Sequence, residues 1–204
     1  VTGKGPGPQN SAHLKTYKKD GTVASLDMTA FDTLYGASVA VGDIDGDGTA
    51  EVIAGAGAGP NNSALVHIFK TDGMKLLEFT PFSTFCGVNV AAADLDGNGA
   101  AEVIVAPGAS PQCGDVNPGT LKVYAYAKET SEMIPTGVEI KAHDGYYGAT
   151  VAAADTEGDW LPELVTAPGP GPENPALVRI WKIDATQGIG AWTAVQAAEI
   201  VMPG

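Results

Sequence analysis

The stretch Asp43-Ile44-Asp45-Gly46-Asp47-Gly48-Thr49-Ala50-Glu51 constrains this chain more than any other. Three carboxylates at alternate positions, with a fourth four residues on, cannot sit close together unless something cancels their repulsion, and the usual agent is a hard cation with oxygen ligands. The spacing recurs as Asp94, Asp96, Asn98 and Glu102, and again as Asp155, Glu157, Asp159 and Glu163. Eleven of the 24 acidic residues fall in these three loops, so the negative charge is placed rather than scattered.

The loops belong to a longer repeat. Gly7-Pro8-Gln9-Asn10-Ser11-Ala12 leads into Tyr17-Lys18-Lys19-Asp20-Gly21, and Gly59-Pro60-Asn61-Asn62-Ser63-Ala64 leads at the same distance into Phe69-Lys70-Thr71-Asp72-Gly73. Gly171-Pro172-Glu173-Asn174-Pro175-Ala176 leads into Trp181-Lys182, and a looser copy runs from Asn117 to Tyr124. The second half of each unit opens with Tyr35-Gly36, Cys86-Gly87 or Tyr147-Gly148, spaced by 51 and then 61 residues. That length suits one four-stranded blade per repeat. The expected units are 1–34 as a partial blade holding strands three and four, then blades at 35–85, 86–146 and 147–204.

Ala37–Gly42, Val88–Ala93 and Ala149–Ala154 carry no large side chain, as expected of a strand at the crowded axis of a radial array. Each acidic loop then joins strand one to a returning β-rich strand two: Glu51–Gly55, Glu102–Ala106 or Glu163–Ala167. Strand three alternates. Val66 and Ile68, Leu121 and Val123, and Val178 and Ile180 form its apolar face; Lys15, His67, Lys122 and Arg179 form a column on the other, followed by Tyr17, Phe69, Tyr124 and Trp181. Strand four is weaker, expected at Thr22–Leu26, Lys75–Phe79, Gly137–Lys141 and Ala194–Val201. The predicted class is all-β: a β-propeller of four-stranded antiparallel blades, about three and a half of them.

The order Tyr-Gly, acidic loop, Ala-Pro-Gly (Ala106-Pro107-Gly108 and Ala167-Pro168-Gly169) resembles the FG-GAP repeat of integrin-alpha-type β-propellers over essentially the whole chain. This resemblance implies calcium in the loop between strands one and two of each blade. The chain departs from the pattern in having Tyr or Cys for the Phe, and Gly55-Ala56-Gly57 at the end of the first copy. Propellers of this kind close with about seven blades, so further copies or further chain are expected to complete or extend the ring. An open blade edge favours such association.

The ligands expected of loop one are Asp43, Asp45, Asp47, the carbonyl of Thr49, and Glu51; those of loop two are Asp94, Asp96, Asn98, the carbonyl of Ala100, and Glu102. Loop three offers Asp155, Glu157, Asp159, the carbonyl of Leu161, and Glu163, with Trp160 in place of the second glycine. The competing reading is a solvated hairpin turn, where Asp, Asn and Gly are favoured without any metal. An EF-hand is excluded, because position 12 needs a bidentate Glu and holds Ala54, Val105 or Thr166. Magnesium suits an all-protein cage less well than calcium.

Lys and Arg number 11 and the net charge is -13, which argues against nucleic acid or anionic membrane as a partner. No stretch is long and apolar enough to cross a bilayer as a helix. Cys86 and Cys113 occur only in the repeat whose strand-two exit is about four residues longer, and a disulfide between them is expected to clamp that insertion. Such a bond implies an oxidising compartment.

No catalytic constellation emerges. His67 reads as a solvated strand residue, and His13 and His143 have no repeated acidic or cysteine partner. There is no Gly-x-Ser-x-Gly, haem attachment or phosphate loop. Tyr35, Phe85, Tyr146 and Tyr147 precede strand one and line a ligand surface on one rim or pack between blades. Asn61-Asn62-Ser63 fits a glycosylation acceptor. The expectation is an extracellular or cell-surface calcium-binding module with a structural, adhesive or assembly role, its partner a protein, a glycan or further copies of itself. The rivals are a propeller hydrolase, lyase or dehydrogenase, and a lectin. An enzyme needs polar side chains converging from the inner strands, which supply only Ser38, Asn89 and Thr150.

Overall fold

Small inner strands, tight glycine turns and alternating third strands build four antiparallel sheets laid face to face. The computed structural model describes residues 1–108 and 117–202, and no helix occurs among them. The first sheet has three strands, β1 (Thr2–Gly3), β2 (Ser11–Tyr17) and β3 (Val23–Leu34). The second holds β4 (Ala37–Gly42), β5 (Glu51–Ala56), β6 (Val66–Phe69) and β7 (Lys75–Phe79). The third holds β8 (Val88–Ala93), β9 (Glu102–Pro107), β10 (Gly119–Ala127) and β11 (Glu132–His143). The fourth holds β12 (Ala149–Ala154), β13 (Glu163–Pro168), β14 (Leu177–Asp184) and β15 (Thr193–Val201). Within each four-stranded sheet neighbours in sequence are neighbours in space, the meander of a propeller blade.

The small strands converge: β4 lies against β8, and β8 against β12. Space there is so short that a Cβ on Gly55 would run into the Val88 carbonyl, and one on Gly42 would stand 2.8 Å from the Ala101 methyl. Between successive blades lie three cores. Leu14, Leu26 and Phe31 meet Val52 and Phe69; Ile53, Val66 and Ile68 meet Val88, Val90, Val103 and Val105; Ile104, Leu121 and Val123 meet Val151, Leu164 and Trp181. Each such side chain, taken wholly out of water, contributes ~1.5–3 kcal/mol.

The column opposite the apolar face of strand three is an ion-pair ladder with strand four. Lys15 meets Asp27 at 3.1 Å, His67 meets Glu78 at 3.1 Å, Lys122 meets Glu139 at 3.6 Å and Arg179 meets Glu199 at 2.8 Å. His67 is therefore not the solvated residue expected from sequence. Its side chain is 12% exposed, its Nδ1 lies 2.9 Å from the Ala30 carbonyl and its ring lies 4.5 Å from that of Phe31. The preceding blade covers His67 and also reaches Arg179, whose Nη1 donates to the Ala142 carbonyl, which alternation within one strand does not reveal.

Strands β3 and β11 run much further than expected. In β11, Pro135 and the positive-φ Gly137 interrupt the alternation where the register with β10 shifts, and pairing resumes beyond them. In β3 the polar residues Asp27, Thr29 and Asp32 hide a strand that still pairs with β2 up to Leu34.

Every complete blade opens with two consecutive left-handed residues: Tyr35-Gly36, Cys86-Gly87 and Tyr147-Gly148, with φ between 66° and 81°. The non-glycine member is strained, and one asparagine per blade holds the joint. Asn62 Nδ2 donates to the carbonyls of Leu34 and Gly57, Asn117 Nδ2 to those of Phe85 and Gly108, and Asn174 Nδ2 to those of Tyr146 and Gly169. The backbone carbonyls of Asn10, Asn62 and Asn117 each accept from the glycine amide that opens the next blade. Cys86 is buried within this joint; Cys113 lies outside the described residues.

Candidate metal-binding loops

Each acidic loop is anchored by the glutamate that begins strand two. Glu51, Glu102 and Glu163 are 1%, 2% and 3% exposed, and each carboxylate accepts a backbone amide from the residue after the first aspartate: Ile44 at 2.9 Å, Leu95 at 2.8 Å and Thr156 at 2.8 Å. Ile44 and Leu95 plug the loop into the interblade core. The same backbone that closes the turn thus aims a buried carboxylate at its mouth.

The first aspartate of each loop collects amides. Asp43 accepts from Asp47 and Gly48, Asp94 from Gly97, Asn98 and Gly99, and Asp155 from Gly158, Asp159 and Trp160. The Gly158 amide leads in holding Asp155 below the usual carboxylate range. Glycines at positive φ shape the first two loops: Gly46, Gly48, Gly97 and Gly99. Loop three keeps the same path although Trp160 replaces the second glycine, by forcing Trp160, a residue 91% exposed, to a φ of 74°.

Three carboxylates converge in each loop, with oxygens within 4.8 Å of one another: Asp43, Asp45 and Glu51; Asp94, Asp96 and Glu102; Glu157, Asp159 and Glu163. Asp155 stands outside the third group, and the longer Glu157 stands in it. Asp47 is turned elsewhere, accepting from the Thr49 amide and from Lys70; Asn98 donates to Asp96 and accepts from the Ala100 amide. The Leu161 amide closes the third turn onto Asp159. These groups supply hard oxygen donors at a depth where negative charge is costly. Burial pushes Glu102 up to about 8, and burial raises Glu51 as well. A carboxylate so placed stays ionised only if positive charge comes to it, so the donor set fits a cation.

Lysines approach two of the loops. Lys70 Nζ donates to Asp45 at 3.3 Å and Asp47 at 3.2 Å, and Lys182 Nζ donates to Glu157 at 2.5 Å. Their carboxylate partners hold both ammonium groups above the ordinary lysine range, Asp47 leading for Lys70 and Glu157 for Lys182. Spacing within a loop carries no signal for these pairs, because the lysines arrive from strand three.

The loops stack along one rim. The Ala101 amide donates to the Asp43 carbonyl at 2.6 Å, and Ala100 and Leu161 lie over Gly46 and Gly97 of the preceding loops. The tyrosines occupy the opposite rim. Tyr35 and Tyr147 are half-buried against Gly59 and Gly171, whereas Phe85 and Tyr146 are exposed. Tyr146 and Tyr147 line a cleft of ≈ 650 Å³ with Asp144 and Glu173. On the inner strands, Ser38 Oγ accepts from the Val90 amide and Asn89 Nδ2 donates to the Ala149 carbonyl, so both tie blades together.

Residues 35–69 match the family model of the FG-GAP repeat. No curated protein sequence matches the chain significantly. Among solved structures the chain is similar to the exotype rhamnogalacturonan lyase YesX, with a TM-score of 0.55 and 18% identity over 93% of this chain and 36% of that one. It is similar to the rhamnogalacturonan lyase YesW (TM-score 0.53, 17% identity, 94% of this chain, 38% of that one). A Bacillus licheniformis rhamnogalacturonan lyase gives a TM-score of 0.52 at 15% identity, covering 94% of this chain and 38% of its own. The chain thus spans well under half the length of these structures, and the likeness is one of fold. The chain is an array of propeller blades that carries an FG-GAP repeat at residues 35–69.

Proposed function

We propose that the chain is a calcium-binding propeller module of the extracellular space or cell surface, with a structural, adhesive or assembly role. The observation that carries this reading is the convergence of three carboxylates in each loop, one of them almost fully buried. Asp43, Asp45 and Glu51 would hold one ion, Asp94, Asp96 and Glu102 a second, and Glu157, Asp159 and Glu163 a third. Calcium suits hard oxygen donors in a flexible turn. When bound it supplies positive charge to carboxylates that repel one another, and so binds the folded chain in preference to the unfolded one. Calorimetry in chelator and in excess calcium tests this, and an identical melting temperature in both would remove it.

The outer face of the last blade is less covered than its counterparts in the blades before it. Ile53, Ile68, Ile104 and Val123 are 0% exposed beneath a following blade, whereas their counterparts Val165 and Ile180 are only half-buried and Ile200 is 49% exposed. A further blade, from another copy or from continuing chain, would cover this face, and native mass measurement reads the outcome. A non-catalytic role is supported by the interblade hydrogen bonds of Ser38 and Asn89. Pairing of Cys86 with Cys113 belongs to the same extracellular reading; a thiol titre on the unreduced chain checks it. The second reading is glycan binding in the cleft beside Tyr146, which a glycan array with Tyr146→Ala as control addresses.

A further inference from the structure

The three loops differ in one respect that their own sequences do not display. The residue after the aromatic of strand three stands beside the loop of its own blade, at a register fixed by the pairs Val52–Phe69, Val103–Tyr124 and Leu164–Trp181. In the blade 35–85 that residue is Lys70, in the blade 147–204 it is Lys182, and in the blade between them it is Ala125. Lys70 bridges Asp45 and Asp47, and Lys182 pairs with Glu157. Lys128 is the remaining lysine near loops one and two; it flanks Gly46 and, among the described residues, forms no ion pair with a loop carboxylate.

We infer that Lys70 and Lys182 are built-in competitors of the cation, and that the three loops therefore fill in a set order, loop two first. This inference rests on the metal reading above. An ammonium on a carboxylate that is also a cation ligand must be displaced, or must share that carboxylate with a divalent charge, before the loop fills. Loop two asks for no such exchange. Exposure ranks the other two: the Lys70 side chain is 30% exposed and its partner Asp45 16%, whereas Lys182 and Glu157 are 47% and 46% exposed. Water screens the second pair more, so Lys70 is the stronger competitor and loop one the last to fill.

The experiment is calcium titration by isothermal calorimetry on the wild type, Lys70→Met, Lys182→Met and Ala125→Lys, each first checked for an unchanged strand signature by circular dichroism. Methionine keeps most of the lysine stem, so packing is retained. Lys70→Met should tighten one weak site by roughly two- to fivefold, the size expected for removing a half-screened charge. Ala125→Lys should weaken the tightest site by a similar factor. Trp160 stands inside loop three and offers a local reporter: terbium luminescence excited through tryptophan should rise at lower terbium concentration in Lys182→Met than in the wild type. Calcium binding whose steps are the same in all four proteins overturns the lysine inference and leaves the metal reading intact. No binding in any of them overturns the metal reading and the inference together.

Discussion

Glu102 converts burial of a charge into a measurable pH dependence. It is 2% exposed, its ordinary value is 4.5, and burial pushes it up to about 8. In the metal-free fold a raised carboxylate stabilises fully below its unfolded value, and that stability drains away as pH climbs towards the folded value. Between pH 6 and pH 8 the loss is roughly 2–3 kcal/mol, at about 1.4 kcal/mol per unit and tapering near the upper end. For a chain of this size that corresponds to a fall in melting temperature on the order of 5–10 °C. The assay is scanning calorimetry in chelator across this window, on the wild type and on Glu102→Gln. The neutral amide has no proton to lose, so its curve should lack this component, and subtraction cancels the histidines and Glu51. In excess calcium the wild-type slope should flatten, because the ion compensates the ionised carboxylate. Parallel curves for the two chelated proteins would refute the assignment.

Three further outcomes are expected. His143 is 3% exposed and is held down to about 4, chiefly by burial and next by the Arg179 charge. Its contribution is therefore present above its unfolded value of 6.5 and lost as pH falls towards 4, and His143→Leu should remove that acid-side slope in a chelator-free melt. Asn62→Ala leaves the Leu34 and Gly57 carbonyls without their donor and should cost ~2–3 kcal/mol by denaturant titration, while Asn61→Ala on the exposed neighbour should cost under ~0.5 kcal/mol. Gly148→Ala drives a methyl into the Pro107 carbonyl at a φ of 71°; a soluble variant with wild-type stability would contradict the close approach of the blades there.

Strand one was legible to the residue at Ala37–Gly42, Val88–Ala93 and Ala149–Ala154, because crowding at the axis tolerates so few side chains that composition alone marks it. The acidic loops were legible because their spacing is local. What could not be read is what depends on another strand or another blade. His67 looks solvated until Phe31 and Ala30 of the preceding blade are laid over it, and Lys70 looks like a surface residue until its ammonium is traced to Asp45, 25 positions away. Strand four was expected only from Gly137, and the bulge that lets it run back past Pro135 to Glu132 is visible only against β10. The repeated asparagines were in plain view at Asn10, Asn62 and Asn174, but a side chain that donates to two carbonyls leaves no periodicity to mark it.

Those asparagines also shape how the array would come apart. Asn62 and Asn117 tie their own blade's opening through the side chain and, through the backbone carbonyl, grip the blade that follows, as the Asn10 carbonyl also does. Among the described residues these joints link neighbouring blades, as along a zip. Melting should begin by fraying at the two terminal sheets and creep inward, so amide exchange is expected to be slowest in β5 and β9 and fastest in β15.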